Sequence, residues 1–164
     1  MTRTDTTSTA LTVLIAGAFA TIAFDLFGQG LAPLAGQAKL APVGLAQSTL
    51  QTLFASVPKG AAHTLHVLTG LIAYPLGYLL IARPLAAKVV PWMHWSLVAA
   101  AYGVGLWIFA LYVMAHLVAG MPAFLGFSGI TWVALWGHVL FGLVAAAVIE
   151  TRMPRDVTAQ PALA

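Results

Sequence analysis

Residues 60–82 read GAAHTLHVLTGLIAYPLGYLLIA, without a single Asp, Glu, Lys or Arg. A helix needs about 20 predominantly apolar residues to cross the hydrocarbon core of a bilayer, and this stretch supplies them. Working outward, three more runs of the same kind stand at residues 10–31, 91–119 and 127–149. The expected fold is all-α: an integral membrane, four-helix transmembrane bundle that forms one domain over residues 1–164. No length is left for a separate soluble domain.

Composition agrees. Of the 164 residues 61% are hydrophobic and 7% charged, with a mean hydropathy of +0.95. Soluble domains carry about 45–50% apolar and about 25% charged residues. A water-soluble domain, a disordered tail and a nucleic-acid partner bound through a basic face are therefore excluded. The nominal pI of 9.6 rests on seven Lys and Arg against four Asp and Glu, most of them at segment ends. There are no cysteines, so disulfides, thiolate catalysis and iron–sulfur ligation are ruled out.

The first run follows Arg3 and ends in small residues, as a signal peptide does. It is longer than the usual signal core of about 7–15 residues, and a chain starting at Met1 reads as unprocessed. Orientation follows from the basic residues. Arg3, Arg83, Lys88, Arg152 and Arg155 fall on the side of both termini, and Lys39 and Lys59 on the other. The positive-inside rule then gives a multi-pass membrane protein, N-in and C-in.

The loop at 32–59 faces outward in this scheme. Pro42 suits a first helical turn, and Val43, Ala46, Leu50, Leu53, Phe54 and Val57 recur at three- and four-residue steps. Gln47, Ser48, Gln51, Thr52 and Ser56 take the other side. The pattern predicts a short amphipathic interfacial helix between the first and second spans, ended by Pro58 and Gly60.

Ionisable residues inside a membrane are costly and mark candidate sites. Thr21, Asp25 and Gln29 are spaced four apart and share one face of the first helix, with Gly17 and Gly28 close to it. Asp25 either belongs to a site or hydrogen-bonds a neighbouring helix in its neutral form. His63 and His66 lie on one face of the second span, continued by Gly70, Tyr74 and Gly77. Pro75 is expected to kink that helix and free the carbonyl of Leu71. His116 ends the third span, above Tyr112 and Phe109. His138 stands deeper in Trp136-Gly137-His138, about 16 Å from the outer end at 1.5 Å per residue. His94, between Trp92 and Trp95, reads as an interfacial anchor.

Asp25, His63, His66 and His116 thus fall in the outer third of the bilayer, with His138 near its middle. Imidazole and carboxylate together suit a transition metal, so Asp25, His63, His66 and His116 are the candidate metal ligands. Alternatively His66 and His138, each with a glycine four residues on, are the candidate axial pair for a b-type haem.

Leu14-Ile-Ala-Gly-Ala-Phe-Ala-Thr21, His66-Val-Leu-Thr-Gly70 and Gly137-His-Val-Leu-Phe-Gly142 resemble a family of small four-helix bacterial inner-membrane proteins with no established activity. The resemblance covers most of residues 10–150. It implies a four-helix fold and marks His66 and His138 as family-type positions; it implies no reaction.

No catalytic constellation is present, so an enzyme is not expected. The leading expectation is a small accessory subunit of a larger membrane complex, respiratory or photosynthetic, whose partners are the lipid bilayer and other subunits or further copies of the chain. The alternatives are a haem- or metal-binding electron carrier and a proton- or ion-conducting transporter component. Against transport stand the small volume that four helices enclose and the lack of an inverted repeat.

Overall fold

The computed structural model describes residues 3–154, with side chains from Thr6 onward; Arg155, used above for orientation, lies outside the described residues. Every regular element among them is helical and none is a strand. Four helices are long and apolar enough to cross a membrane: α1 (Thr6–Leu34), α3 (Ala61–Val89), α4 (Trp95–Val118) and α5 (Gly129–Arg152). A shorter helix, α2 (Pro42–Leu53), connects α1 to α3. At 1.5 Å per residue the shortest of the four, 24 residues, spans about 36 Å, enough for a core about 30 Å thick.

Helix α5 is the centre of the assembly. It packs on α1 and on α4, and half of its most apolar stretch is buried, against 17% for α3. Small residues make this closeness possible. A Cβ on Gly142 would come within 2.4 Å of the Ala99 carbonyl oxygen, and one on Gly103 within 2.5 Å of the His138 carbonyl oxygen. The backbones of α4 and α5 therefore touch where glycine stands, as small residues allow in membrane bundles. On the other flank a Cβ on Gly17 would be 2.1 Å from the Leu71 carbonyl oxygen, which brings α1 against α3.

At Pro75, where a kink is expected, the helix widens locally. Widened π turns occupy Leu26–Leu31, Thr69–Ala73 and Tyr78–Ala82, and each is followed by an α segment with proline in its opening turn: Pro33, Pro75 and Pro84. Proline cannot donate to the carbonyl four residues back and its ring clashes there. The wider turn takes up that mismatch, so α3 continues past Pro75 without ending. The hydroxyl of Tyr102 on α4 donates to the Tyr74 carbonyl at 2.6 Å and ties the two helices at this level.

Two interior clusters result. One gathers Phe24, Leu40, Leu106, Leu111, Val133 and Phe141 in the half where α2 lies. The other places Tyr78 among Ala16, Val98, Ala99, Ala146 and Ile149 in the opposite half. That second half ends in the basic residues. Arg83 Nε lies 3.2 Å from Glu150 Oε1, the Tyr78 hydroxyl donates to the same oxygen at 3.0 Å, and an Arg83 Nη2–H also donates to the Met153 carbonyl. Arg152 donates to Thr12 Oγ1 at 3.2 Å, fastening the end of α5 to the start of α1. Glu150 is thus an internal partner of Arg83, with its side chain 10% exposed.

Candidate functional site

Helix α2 is where the candidate site begins. Its pattern predicted an apolar stripe from Val43 to Val57, but the helix ends at Leu53, with Leu53 and Phe54 more than half exposed. The face turned to the cavity is Pro42, Leu45, Ala46 and Thr49, which shares Ala46 with the expected stripe and is otherwise one residue offset from it. The helix carries apolar residues on two sides, and the bundle takes the side that leaves the larger Leu53 and Phe54 outside. Thr49, 3% exposed, is the buried polar residue of that face.

Beneath α2 lies a cavity of about 200 Å³, walled by α1, α3, α4 and α5 and lined almost wholly by apolar atoms. Its polar side chains include Thr21, Thr49, His66, Thr69, Tyr74 and His138. An engineered cavity of about 150 Å³ in another protein holds a benzene molecule, so this volume suits a single ring with small substituents.

His138 is the most buried of these imidazoles, at 6% exposure. Its Nδ1 lies 2.7 Å from the Ala134 carbonyl oxygen. A carbonyl only accepts, so Nδ1 carries the proton and donates. The neutral ring then offers Nε2 as an acceptor, on the edge turned away from the α5 backbone, and no hydrogen bond within the described residues occupies it. The Phe24 ring meets this imidazole edge-on at 5.0 Å, and Tyr74 lies 6.5 Å away. Thr21 presents a second unsatisfied group: its Oγ1 is buried with no hydrogen-bond partner among the described residues. Gly70 leaves room for that hydroxyl, since a Cβ there would lie 2.3 Å from it. Buried polar atoms are nearly always bonded, so the unpartnered Thr21 hydroxyl, packed against Gly70 beside the cavity, marks this wall as unusual.

The structure brings Asp25 and His66 together. His66 Nε2 is 3.2 Å from both carboxylate oxygens, and the Gln29 amide donates to Asp25 Oδ1 at 2.8 Å. The shared face of Thr21, Asp25 and Gln29 is thus realised. His63 does not join the pair. It is exposed at the start of α3, while His116 Nδ1–H donates to the Met121 carbonyl at 2.7 Å and closes the end of α4. Among the described residues no group of three or more His, Asp or Glu is placed to hold a metal ion, so Asp25, His63, His66 and His116 do not assemble as one ligand set.

His66 and His138 do line one cavity. Asp25 engages the Nε2 of His66, however, and a cavity of about 200 Å³ is below even the roughly 300–1,000 Å³ of drug-sized ligand sites. The residues present do not fit a haem between the two rings. His94 Nδ1 accepts from the Ser96 backbone N–H at 3.3 Å and so caps α4, a role beyond the anchoring predicted for it.

Sequence reasoning missed part of the wall of the site near α2. The connection before α5 holds Phe124, Leu125, Gly126 and Phe127 at φ values of 49°, 54°, 68° and 52°. Three of these four are not glycine, and such left-handed residues need surrounding structure to hold them. The Phe124 ring meets Trp107 at 4.7 Å with a 35° tilt and stacks on Tyr112 at 5.6 Å, and Thr131 Oγ1–H donates to its carbonyl. Leu125 thereby reaches the cavity wall.

No protein-family model, no curated protein and no solved structure matches the chain.

Proposed function

We propose that this is a multi-pass protein of the bacterial inner membrane that binds a small, largely apolar, ring-bearing molecule in the cavity beneath α2. The observation that carries the reading is the open Nε2 of buried His138 on the wall of an apolar cavity about 200 Å³ in volume. Small-molecule sites are apolar concavities with a few convergent polar groups, and this cavity has that make-up. The end bearing Arg83, Lys88 and Arg152 is cytoplasmic in this proposal, so α2 lies at the outer interface, where a molecule dissolved in the bilayer reaches it.

The test is chemical. Protein purified from membranes in lipid nanodiscs is extracted with organic solvent, and the extract is compared by mass spectrometry with that of an Ala46→Phe variant. Ala46 lines the roof of the cavity, and a phenyl ring there fills part of the volume from a short connecting helix. A ring-bearing molecule present near one per chain, and lost in the folded variant, supports the proposal. An identical extract from both proteins contradicts it.

A second reading keeps the accessory-subunit expectation. Its support is α3, whose most apolar stretch is only 17% buried, with Val67, Leu80, Ile81 and Leu85 open on the bundle exterior. That face takes either lipid or another subunit. Fixed-ratio co-purification of a larger membrane complex in native nanodiscs supports the second reading; a monodisperse single chain with lipid removes it.

A further inference from the structure

The same cavity carries a statement about which ring it takes, resting on the binding reading above. We infer that the ligand carries an aromatic hydroxyl and donates it to His138 Nε2, so that phenols and hydroquinones are selected over their ethers. The tautomer decides this. Nδ1–H is committed to the Ala134 carbonyl at 2.7 Å, a bond within α5 made by a side chain 6% exposed. The remaining ring nitrogen holds a lone pair and no proton. A ligand carbonyl or ether oxygen brought to that edge meets lone pair with lone pair, whereas a hydroxyl completes a hydrogen bond.

The walls fit such a ring in other respects. Phe24 and Phe141 lie on the lining, and Tyr74 meets Phe141 edge-on at 5.6 Å, so an inserted ring finds aromatic edges and faces. His66 cannot provide an equivalent open Nε2, because that atom faces the Asp25 carboxylate. His138 is thus the acceptor that sorts ligands.

A site built to hydrogen-bond a hydroxyl rejects an analogue lacking it, because its own polar group is left unpaired. The probes are p-cresol and 4-methylanisole, single rings that differ by one methyl on oxygen. Their affinities are measured by equilibrium dialysis against protein nanodiscs, with empty nanodiscs of the same lipid subtracted for partitioning. The expected result is roughly tenfold or greater preference for p-cresol, the loss of one buried hydrogen bond. In His138→Phe the preference falls to that of empty nanodiscs, and His138→Gln, which keeps an acceptor oxygen, restores part of it. Should both variants fail to fold, the preference in the unaltered protein still decides. Equal saturable binding of the two probes overturns the hydroxyl inference and leaves ligand binding intact. Binding of neither overturns both.

Discussion

His66 Nε2 lies 3.2 Å from both carboxylate oxygens of Asp25, a bond between α1 and α3 that spans 41 residues of sequence. Gln29 adds a donor from one turn further along α1, so the carboxylate receives hydrogen bonds from both helices. The pair borders the cavity through His66 and fixes the separation of two of its walls. The two side chains are 17% and 33% exposed, so the pair is partly shielded and not surface decoration.

Removal of the carboxylate leaves the His66 and Gln29 donors without their acceptor. Asp25→Ala is expected to lower stability by about 1–3 kcal/mol, and Asp25→Asn by less, since the amide keeps one acceptor oxygen. In a double-mutant cycle with His66→Ala, the two losses should be less than additive by about 1 kcal/mol. Unfolding in mixed micelles, followed by helicity, measures all three. Strict additivity would show that the two side chains are neighbours without a working interaction.

The glycine contacts separate close approach from mere flexibility. Gly142→Ala and Gly103→Ala each drive a Cβ into the backbone of the facing helix, at 2.4 and 2.5 Å. Each is expected to cost about 1–3 kcal/mol, the usual range for overpacking. Gly105→Ala, with nothing within 4 Å of the new Cβ, should be neutral or stabilising by up to about 1 kcal/mol through helix propensity. Equal effects at the three positions would refute the proposed α4–α5 seam.

At the basic end, Glu150 and Arg83 form an ion pair with side chains 10% and 15% exposed. Breaking such a pair from one side leaves a charge in poor solvent. Glu150→Ala is expected to destabilise by about 3 kcal/mol or more. Replacing both, as Arg83→Met with Glu150→Leu, should cost less than the sum of the single changes. The thermal midpoints of the four proteins in one detergent provide the check.

The chain has no cysteine, so single introduced cysteines report topology cleanly. In intact cells, Gln37→Cys and Ser56→Cys, both exposed and flanking α2, should react with a membrane-impermeant maleimide. Lys88→Cys at the other end should react only after lysis. The reverse pattern would place α2 and the cavity mouth at the cytoplasmic face.

Much of this architecture could be read from the sequence because long apolar helices are dictated locally. The four spans, the short helix after Pro42 and the shared face of Thr21, Asp25 and Gln29 follow from hydropathy and a 3.6-residue period. Pairing across helices was less legible. Asp25 and His66 were both singled out for depth, but depth alone also gathered His63 and His116, which end up exposed and bonded to a helix-end carbonyl respectively. Rotation about the helix axis, set by Gly17 against Leu71, decides which imidazole turns inward. The left-handed stretch at Phe124–Phe127 carries no local signal, because aromatic side chains disfavour that backbone and tertiary stacking imposes it. The open Nε2 of His138 was equally invisible, since it depends on a bond to the chain's own Ala134 carbonyl.

A ring-bearing molecule that occupies the cavity and meets His138 must perturb the imidazole itself. Nitrogen-15 resonances of the imidazole side chains, in labelled protein in nanodiscs titrated with p-cresol, test it most directly. A saturable shift of His138 Nε2 is expected, with little movement of its Nδ1 and no saturable shift in the Ala46→Phe variant. An Nε2 resonance that stays fixed at every p-cresol concentration, or that moves equally in the variant, would contradict it.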